Sequence, residues 1–256
     1  MQPGTDNALR TRVYIDGCNL YYGCLKNSPD KWLDVRALAE CVLSNIPFEQ
    51  NGEPVRFGFQ TPAVKYFTAP ILAAFAKSDD SVSCQSLYHT ALCAYLDGEI
   101  EIIKGYHDAK PARARAWEEG KAARECKMID IWKLEEKQSD VAFALNAFSD
   151  AVRNEVDQVI AVTNDSDFAP AMRMIRQHTR AVVGLIAPAR YPRPDLLIPI
   201  YEEAKRVRRS EGAARKWLTQ PCARLGGRIP IRMCESTEEA GELRKYMDRY
   251  AQEFGI

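Results

Sequence analysis

The stretch Val159-Ile160-Ala161-Val162-Thr163-Asn164-Asp165-Ser166-Asp167-Phe168-Ala169-Pro170 decides how this chain is read. Its first four residues are apolar and rich in β-branched side chains, the composition of a short buried strand. A polar loop follows, with two aspartates separated by a single serine. Asp167, Phe168, Ala169 and Pro170 then make a helix start, with an acidic cap and a proline in the first turn. In an open α/β sheet, ligands bind beyond the carboxyl ends of the strands. Two carboxylates placed there offer hard oxygen ligands of the kind Mg²⁺ or Mn²⁺ prefers. Capping alone accounts for Asp167 but not for Asp165.

Two more acidic positions fall in comparable places. Arg12-Val13-Tyr14-Ile15-Asp16-Gly17-Cys18-Asn19 reads as a central strand ending at Asp16, with Gly17 allowing a tight turn. Asn19 is the first side chain beyond that turn able to reach back over the crevice. From Asp140 to Val152 apolar residues recur at helical spacing: Phe143, Ala144, Ala147 and Ala151 share a face with Asp140, and Val141, Leu145, Phe148 and Val152 lie beside it. That breadth predicts a well-buried helix with Asp140 at the lip of the core. The plainer account is a Ser139 cap followed by a dipole-stabilised acid. Carboxylates gathered at one sheet edge cannot all stay ionised without a counter-cation, and a divalent metal resolves the conflict. Held by carboxylates and keeping several waters, such a metal suits phosphodiester hydrolysis, with Asn19 orienting substrate or a ligand water.

The rest of the chain supplies the frame. Strands are expected at 64–68, 99–104, 128–132 and 181–186. Helices are expected at 35–43 (capped by Asp34, closed by Pro47), 71–76, 85–96 and from Asp167 through Arg176, with a polar loop at 49–54. This alternation argues a doubly wound, mostly parallel sheet. Residues 106–127 read as an exposed loop or helix, and 196–201 as an edge segment. Lys104, Lys110, Arg113 and Arg115 could contact phosphates, although a charge run is more often a solvated face. Past residue 203, Lys205, Arg206, Arg208, Arg209, Arg215 and Lys216 precede Trp217, a combination suited to single-stranded nucleic acid. A charged helix from Thr237 would pack on the core or on a second subunit, which makes a homodimer one arrangement to test. The expected organisation is a polar leader (1–10), an α/β domain (11–202) and a basic, mostly helical extension (203–256).

Composition sets outer bounds. The 256 residues are 46% hydrophobic and 27% charged, ordinary for a globular chain. With 35 basic and 35 acidic residues, attraction to nucleic acid must come from local patches. No apolar run approaches the roughly 18 residues that span a bilayer, and Met1–Arg12 holds no secretory h-region. Eight cysteines lack any Cys-x-x-Cys pair, and Cys41 and Cys93 sit in apolar helical patterns. Reduced, mostly buried thiols in a cytoplasmic protein are expected, with no membrane partner.

Four motifs in order, Tyr14-Ile15-Asp16-Gly17-x-Asn19, Tyr66-Phe67-Thr68-Ala69, Glu136-Lys137-x-x-Asp140-Val141 and Asn164-Asp165-Ser166-Asp167-Phe168, resemble the NYN domain, specifically its LabA-like branch. The resemblance runs across residues 10–188. It implies a PIN-like, Rossmannoid three-layer fold and the activity predicted for that family, metal-dependent cleavage of RNA. Asp16, Asp140, Asp165 and Asp167 would be the catalytic and metal-binding acids, with Asn19 their polar companion. Asn164, Ser166, Lys137 and Lys104, with Arg206 and Arg209 of the basic tail, would contact the substrate. Two departures stand out: Asn146 replaces a second helix aspartate, and Asn164 replaces a glycine before Asp-Ser-Asp.

The expected function is therefore an Mg²⁺- or Mn²⁺-dependent ribonuclease acting on single-stranded or loop RNA. A non-catalytic RNA-binding or regulatory module, and a metal-dependent phosphohydrolase on a small substrate, are the rival readings.

Overall fold

The computed structural model describes residues 8–45, 49–50, 53–189, 192–235 and 237–254. In chain order its principal elements begin with β1 (Ala8–Asp16), α1 (Gly17–Leu20), α2 (Val35–Ser44), β2 (Glu49–Gln50), β3 (Glu53–Pro54), β4 (Arg56–Thr68), α3 (Ser81–Leu96) and β5 (Ile100–Lys104). There follow β6 (Tyr106–Arg115), β7 (Met128–Lys137), α4 (Ser139–Val152), β8 (Gln158–Val162), α5 (Ala169–His178), β9 (Val182–Ile186), α6 (Ile198–Arg208), α7 (Glu211–Thr219) and α8 (Thr237–Phe254). Five strands form one sheet in the order β5-β4-β1-β8-β9, and every neighbouring pair is parallel.

Helices cover both faces, and the period-2 alternation of each strand divides its side chains between two cores. Val13, Ile15, Val64, Tyr66, Ile160 and Val162 pack with Val35 and Ala39 of α2 and Leu92 of α3. Tyr14, Phe67, Val159 and Ala161 turn the other way, onto Phe143 and Ala147 of α4 and Met172 and Ile175 of α5. Burial on both sides is why these strands read as continuous apolar runs. The chain winds outward from β1 through β4 to β5, then crosses over to β8 and β9. The sheet therefore reverses direction at β1, and the crevice between β1 and β8 is its topological switch point.

Several expectations need correction. Residues 106–115 are not loop or helix but strand β6, paired antiparallel with β7 from Tyr106↔Lys137 to Arg115↔Met128. The ribbon lacks a well-packed apolar face: its small residues are alanines, and its partner strand exposes Met128, Ile129, Trp132 and Leu134. A hairpin held mainly by backbone pairing leaves little hydrophobic pattern to read. Residues 196–201 are no edge strand: a short 3-10 turn ends at Leu196 and α6 starts at Ile198, with proline in its first turn. Helix α4 is buried on one side only, because Val141 and Leu145 are 63% and 62% exposed while Phe143, Ala147 and Ala151 are covered. Its N-cap is Gln138, not Ser139. Cys41 and Cys93 are exposed, and Cys126 alone of the eight free cysteines is fully buried. Residues 49–50 and 53–54, inside the expected polar loop, pair as a small antiparallel ladder; Pro47 and Gly52 lie outside the described residues.

Strand β1 begins at Ala8, inside the stretch read as a leader. Beyond the sheet, α6, α7 and α8 gather around a core of their own, with Tyr201, Ala204, Leu218, Leu243 and Met247 at its centre. Ion pairs from Arg173 to Glu202 (3.6 Å) and from Arg215 to Asp195 (3.1 Å) tie this bundle to the α/β unit. Among the described residues no helix is long and apolar enough to cross a membrane.

Candidate active site at the carboxyl ends of β1 and β8

Asp16 ends β1 and caps α1. Its Oδ1 accepts from the Asn19 backbone N–H (2.9 Å) and its Oδ2 from the Thr163 hydroxyl (3.2 Å). The following helix can start this tightly because residue 17 is glycine: a Cβ there would lie 2.5 Å from the Tyr66 ring. Thr163, fully buried at the end of β8, also accepts from the Asp165 N–H at 3.0 Å. One hydroxyl thus joins the two strand ends.

The loop after β8 is fixed in the same manner. Asp165 accepts the Asp167 N–H (3.0 Å), capping the 3-10 turn that leads into α5. The Asn19 side-chain oxygen accepts the Asn164 N–H (2.9 Å), and the Asn164 side-chain oxygen accepts the Arg193 N–H (2.7 Å). Asn164 therefore ties the loop to two neighbouring segments, and the second tie needs the side chain that the glycine usual in the family lacks. Ser166 is half-buried within the turn. Beneath the loop, Phe168 packs against Phe143 with ring centroids 4.2 Å apart, which seats α4 and its Asp140 beside Asp165 and Asp167.

The electrostatics agree with a convergent cluster. Asp16 is pushed up to about 6, chiefly by burial and further by the charges of Asp140 and Glu136, against the opposing hydrogen bonds from Asn19 and Thr163. Asp140 is raised by burial and then by Glu136, Asp165 and Asp167. Burial and Glu136 also push the Cys18 thiol up. Glu136, near the end of β7, is thus a fifth acid beside this site that was not among the expected site residues. Its signal was its place at the head of the Glu136-Lys137-x-x-Asp140 motif. Among the described residues no three His, Cys, Asp or Glu side chains stand close enough to enclose a metal ion as arranged. The donor set, all carboxylate and amide oxygen with unrelieved mutual repulsion, fits a hard divalent cation.

The expected cationic residues fare differently. Lys104 ends β5 on the same edge of the sheet and is exposed. Lys137 closes β7 beside Glu136, but pairs with Glu135 at 2.9 Å. Arg206 is bound to Glu203, and Arg209 forms the left-handed C-cap of α6 (φ 60°) in the separate helical bundle. Trp217 is stacked on Tyr246 and covered by the Arg208 guanidinium at 4.6 Å. Asn146 accepts from Lys65 of β4 (3.0 Å) and donates to the Ala142 carbonyl of its own helix (2.9 Å), so its amide is engaged with the sheet and with α4.

Comparison with known proteins adds to this geometry. The family described as NYN domain matches residues 10–198. The family described as antitoxin Xre/MbcA/ParS C-terminal toxin-binding domain matches residues 204–252. A curated relative from Pseudomonas putida (strain DSM 28022 / S16), named 6-hydroxy-3-succinoylpyridine 3-monooxygenase HspA, is 37% identical over a 292-residue alignment covering 93% of this chain and 94% of the relative. A crystal structure of a protein of unknown function from Vibrio parahaemolyticus RIMD 2210633 is 20% identical over 73% of this chain and 85% of its own, with a TM-score of 0.39.

Proposed function

This chain belongs to the NYN domain family, and from that premise we propose that it is a divalent-metal-dependent ribonuclease working at Asp16, Asp140, Asp165 and Asp167. The observation that carries the reading is the meeting of Asp16 and Asp165 at the switch point, joined through the Thr163 hydroxyl, with Asp140 raised first by burial and then by Glu136, Asp165 and Asp167. A surface built only to grip phosphates gains nothing from clustered negative charge. A metal-dependent hydrolase needs it.

Asp16, Asp140, Asp165 and Asp167 would hold Mg²⁺ or Mn²⁺, and the bound ion supplies an attacking water of lowered pKa and charge neutralisation at the phosphate. This chain's own residues do the positioning. Thr163 holds Asp16 and the Asp165 backbone in one register, and the Asn19–Asn164 bond closes the crevice over them. Lys104 and Lys137 at the rim would meet the strand's phosphates.

The name of the Pseudomonas relative supports a second reading, oxygenation of 6-hydroxy-3-succinoylpyridine. Hydroxylation draws electrons through a redox cofactor. The turn after β1 here is Asp16-Gly17-Cys18-Asn19, without the glycine-rich fingerprint that cradles a dinucleotide pyrophosphate. Acids at that position repel such an anion. The C-terminal match supports reading α6–α8 as a protein-docking unit, since its Arg206, Arg215 and Trp217 are already engaged within the fold.

The decisive experiment is cleavage of a labelled mixed-sequence RNA with Mn²⁺, Mg²⁺ or EDTA, by wild type and by Asp165→Asn, with pyridine turnover assayed alongside. Metal-dependent cutting lost in the variant is expected. RNA bound but left intact under every metal, or turnover of the pyridine that survives Asp165→Asn, would overturn the nuclease.

A further inference from the structure

Helix α1 does not stop at the acids. It continues without a break into a π-helical turn, Tyr21–Leu25, that carries two aromatic residues into solvent. Tyr22 is 60% exposed, and Tyr21 meets it edge-on with centroids 5.3 Å apart. The Lys26 ammonium lies 5.3 Å from the Tyr22 ring centroid and that of Lys77 5.9 Å. Lys77 comes from the loop after β4, whose carboxyl end is registered beside Asp16 (Asp16↔Phe67). Both arms of this cluster therefore leave the edge of the sheet that holds the acids.

Two features set it apart from an ordinary solvated face. The lysines converge on each other, and Lys77 lowers the pKa of Lys26, while among the described residues neither has an ion-pair partner. Two ammoniums brought together over one ring form a place to which an anion from outside the chain is attracted. The turn is also clamped: a Cβ on Gly23 would stand 2.0 Å from the Pro188 carbonyl oxygen, so only glycine lets the π turn seat against the segment after β9. Tyr22 is thereby displayed on a fixed support one helical turn from Asn19. π-helical turns of this kind recur at functional sites.

We propose that Tyr22, Lys26 and Lys77 form a docking subsite for single-stranded RNA, in which an unpaired base stacks on Tyr22 and the adjoining phosphate lies between the two ammoniums. An exposed ring offers its face to any base, but only to one free of a duplex. The subsite rests on the ribonuclease reading and deepens it: it selects unpaired strands and leads them along α1 to the acids.

The test is fluorescence anisotropy of a labelled oligouridylate with the full-length protein in EDTA, so that binding is read without cleavage, with metal-dependent cutting measured separately. Tyr22→Ala should weaken binding roughly ten-fold, while Tyr22→Phe keeps wild-type affinity. The double variant Lys26→Ala/Lys77→Ala should flatten the slope of log affinity against log salt by about 0.7, the loss of the one single-strand phosphate held between them. If wild type binds and cuts RNA and these variants bind equally well with an unchanged slope, the subsite is wrong and the nuclease stands. If wild type neither binds nor cuts, both fall.

Discussion

Helix α4 carries an aspartate near each end, and the two have opposite surroundings. At its C-terminal end Asp150 is wholly buried, yet Arg12 (2.7 Å), Lys65 (2.8 Å) and the Tyr14 hydroxyl (2.7 Å) converge on its carboxylate. Burial alone would raise it, but those three partners outweigh burial and hold Asp150 below the ordinary carboxylate range. At the N-terminal end Asp140 meets Glu136, Asp165 and Asp167, all of its own sign, and is raised. The first is a closed ion network that bolts the helix to β1 and β4. The second has no such closed network: burial, and after it the like charges, push Asp140 up. On the proposed function, the contrast separates acids that hold a fold from acids that do chemistry.

Each variant below tests that division, the largest effect first. Asp165→Asn should cut metal-dependent RNA cleavage by more than roughly 100-fold, past the range expected for an outer-shell partner, and should leave thermal stability without metal undiminished. A matching drop in melting temperature would mean that Asp165 is structural after all. Asp150→Asn should do the reverse. It strands two buried cations, Arg12 and Lys65, and should destabilise the protein by about 3 to 5 kcal/mol in denaturant titration, as breaking one side of a buried pair does. Metal affinity per folded molecule should be retained. Thr163→Val removes the hydroxyl shared by Asp16 and Asp165, and metal affinity by calorimetry should fall roughly ten-fold.

The smallest effect is in pH, and it has opposite signs for Asp150 and for Asp16 of the acid cluster. Asp150 sits below its usual 3.8 in the native state, so its contribution is complete above that value and is lost as pH falls through the lower native one. Asp16 is raised from 3.8 to about 6, so the metal-free protein loses stability as pH rises across that window. Added Mn²⁺ should therefore raise the melting temperature above about pH 6 and have little effect near pH 4. A metal-induced shift that ignores pH would place the ion elsewhere.

Much of the sheet was legible because its strands are buried on both faces. Val13–Ile15, Val64–Phe67 and Val159–Val162 are apolar at every or nearly every step, and each ends where a polar loop begins. The acids Asp16, Asp165 and Asp167 stood out for the same reason, at abrupt ends of apolar runs. The first half of β7 was legible at 128–132, but its partner β6 was hidden because backbone pairing leaves no trace in side-chain pattern when a strand is alanine and charge. Glu136 opened a recognisable motif, yet its place beside the acids depends on where the ribbon turns into α4. Lys65 was visible as a charge inside an apolar strand, but its partner lies 85 residues away, a distance only the fold can close. The same holds for Trp217: base-stacking residue and core residue look alike until Tyr246 is seen against it.

The bond from Thr163 to Asp16 spans 147 residues. β1 is the middle strand of the sheet, and its second neighbour, β8, follows it in the chain only after β4, β5 and α4. The crevice is therefore a product of long-range folding, and no local segment holds Asp16, Asp140 and Asp165 together. On the proposed function, activity should appear only with the native tertiary fold and never in a fragment that lacks either strand.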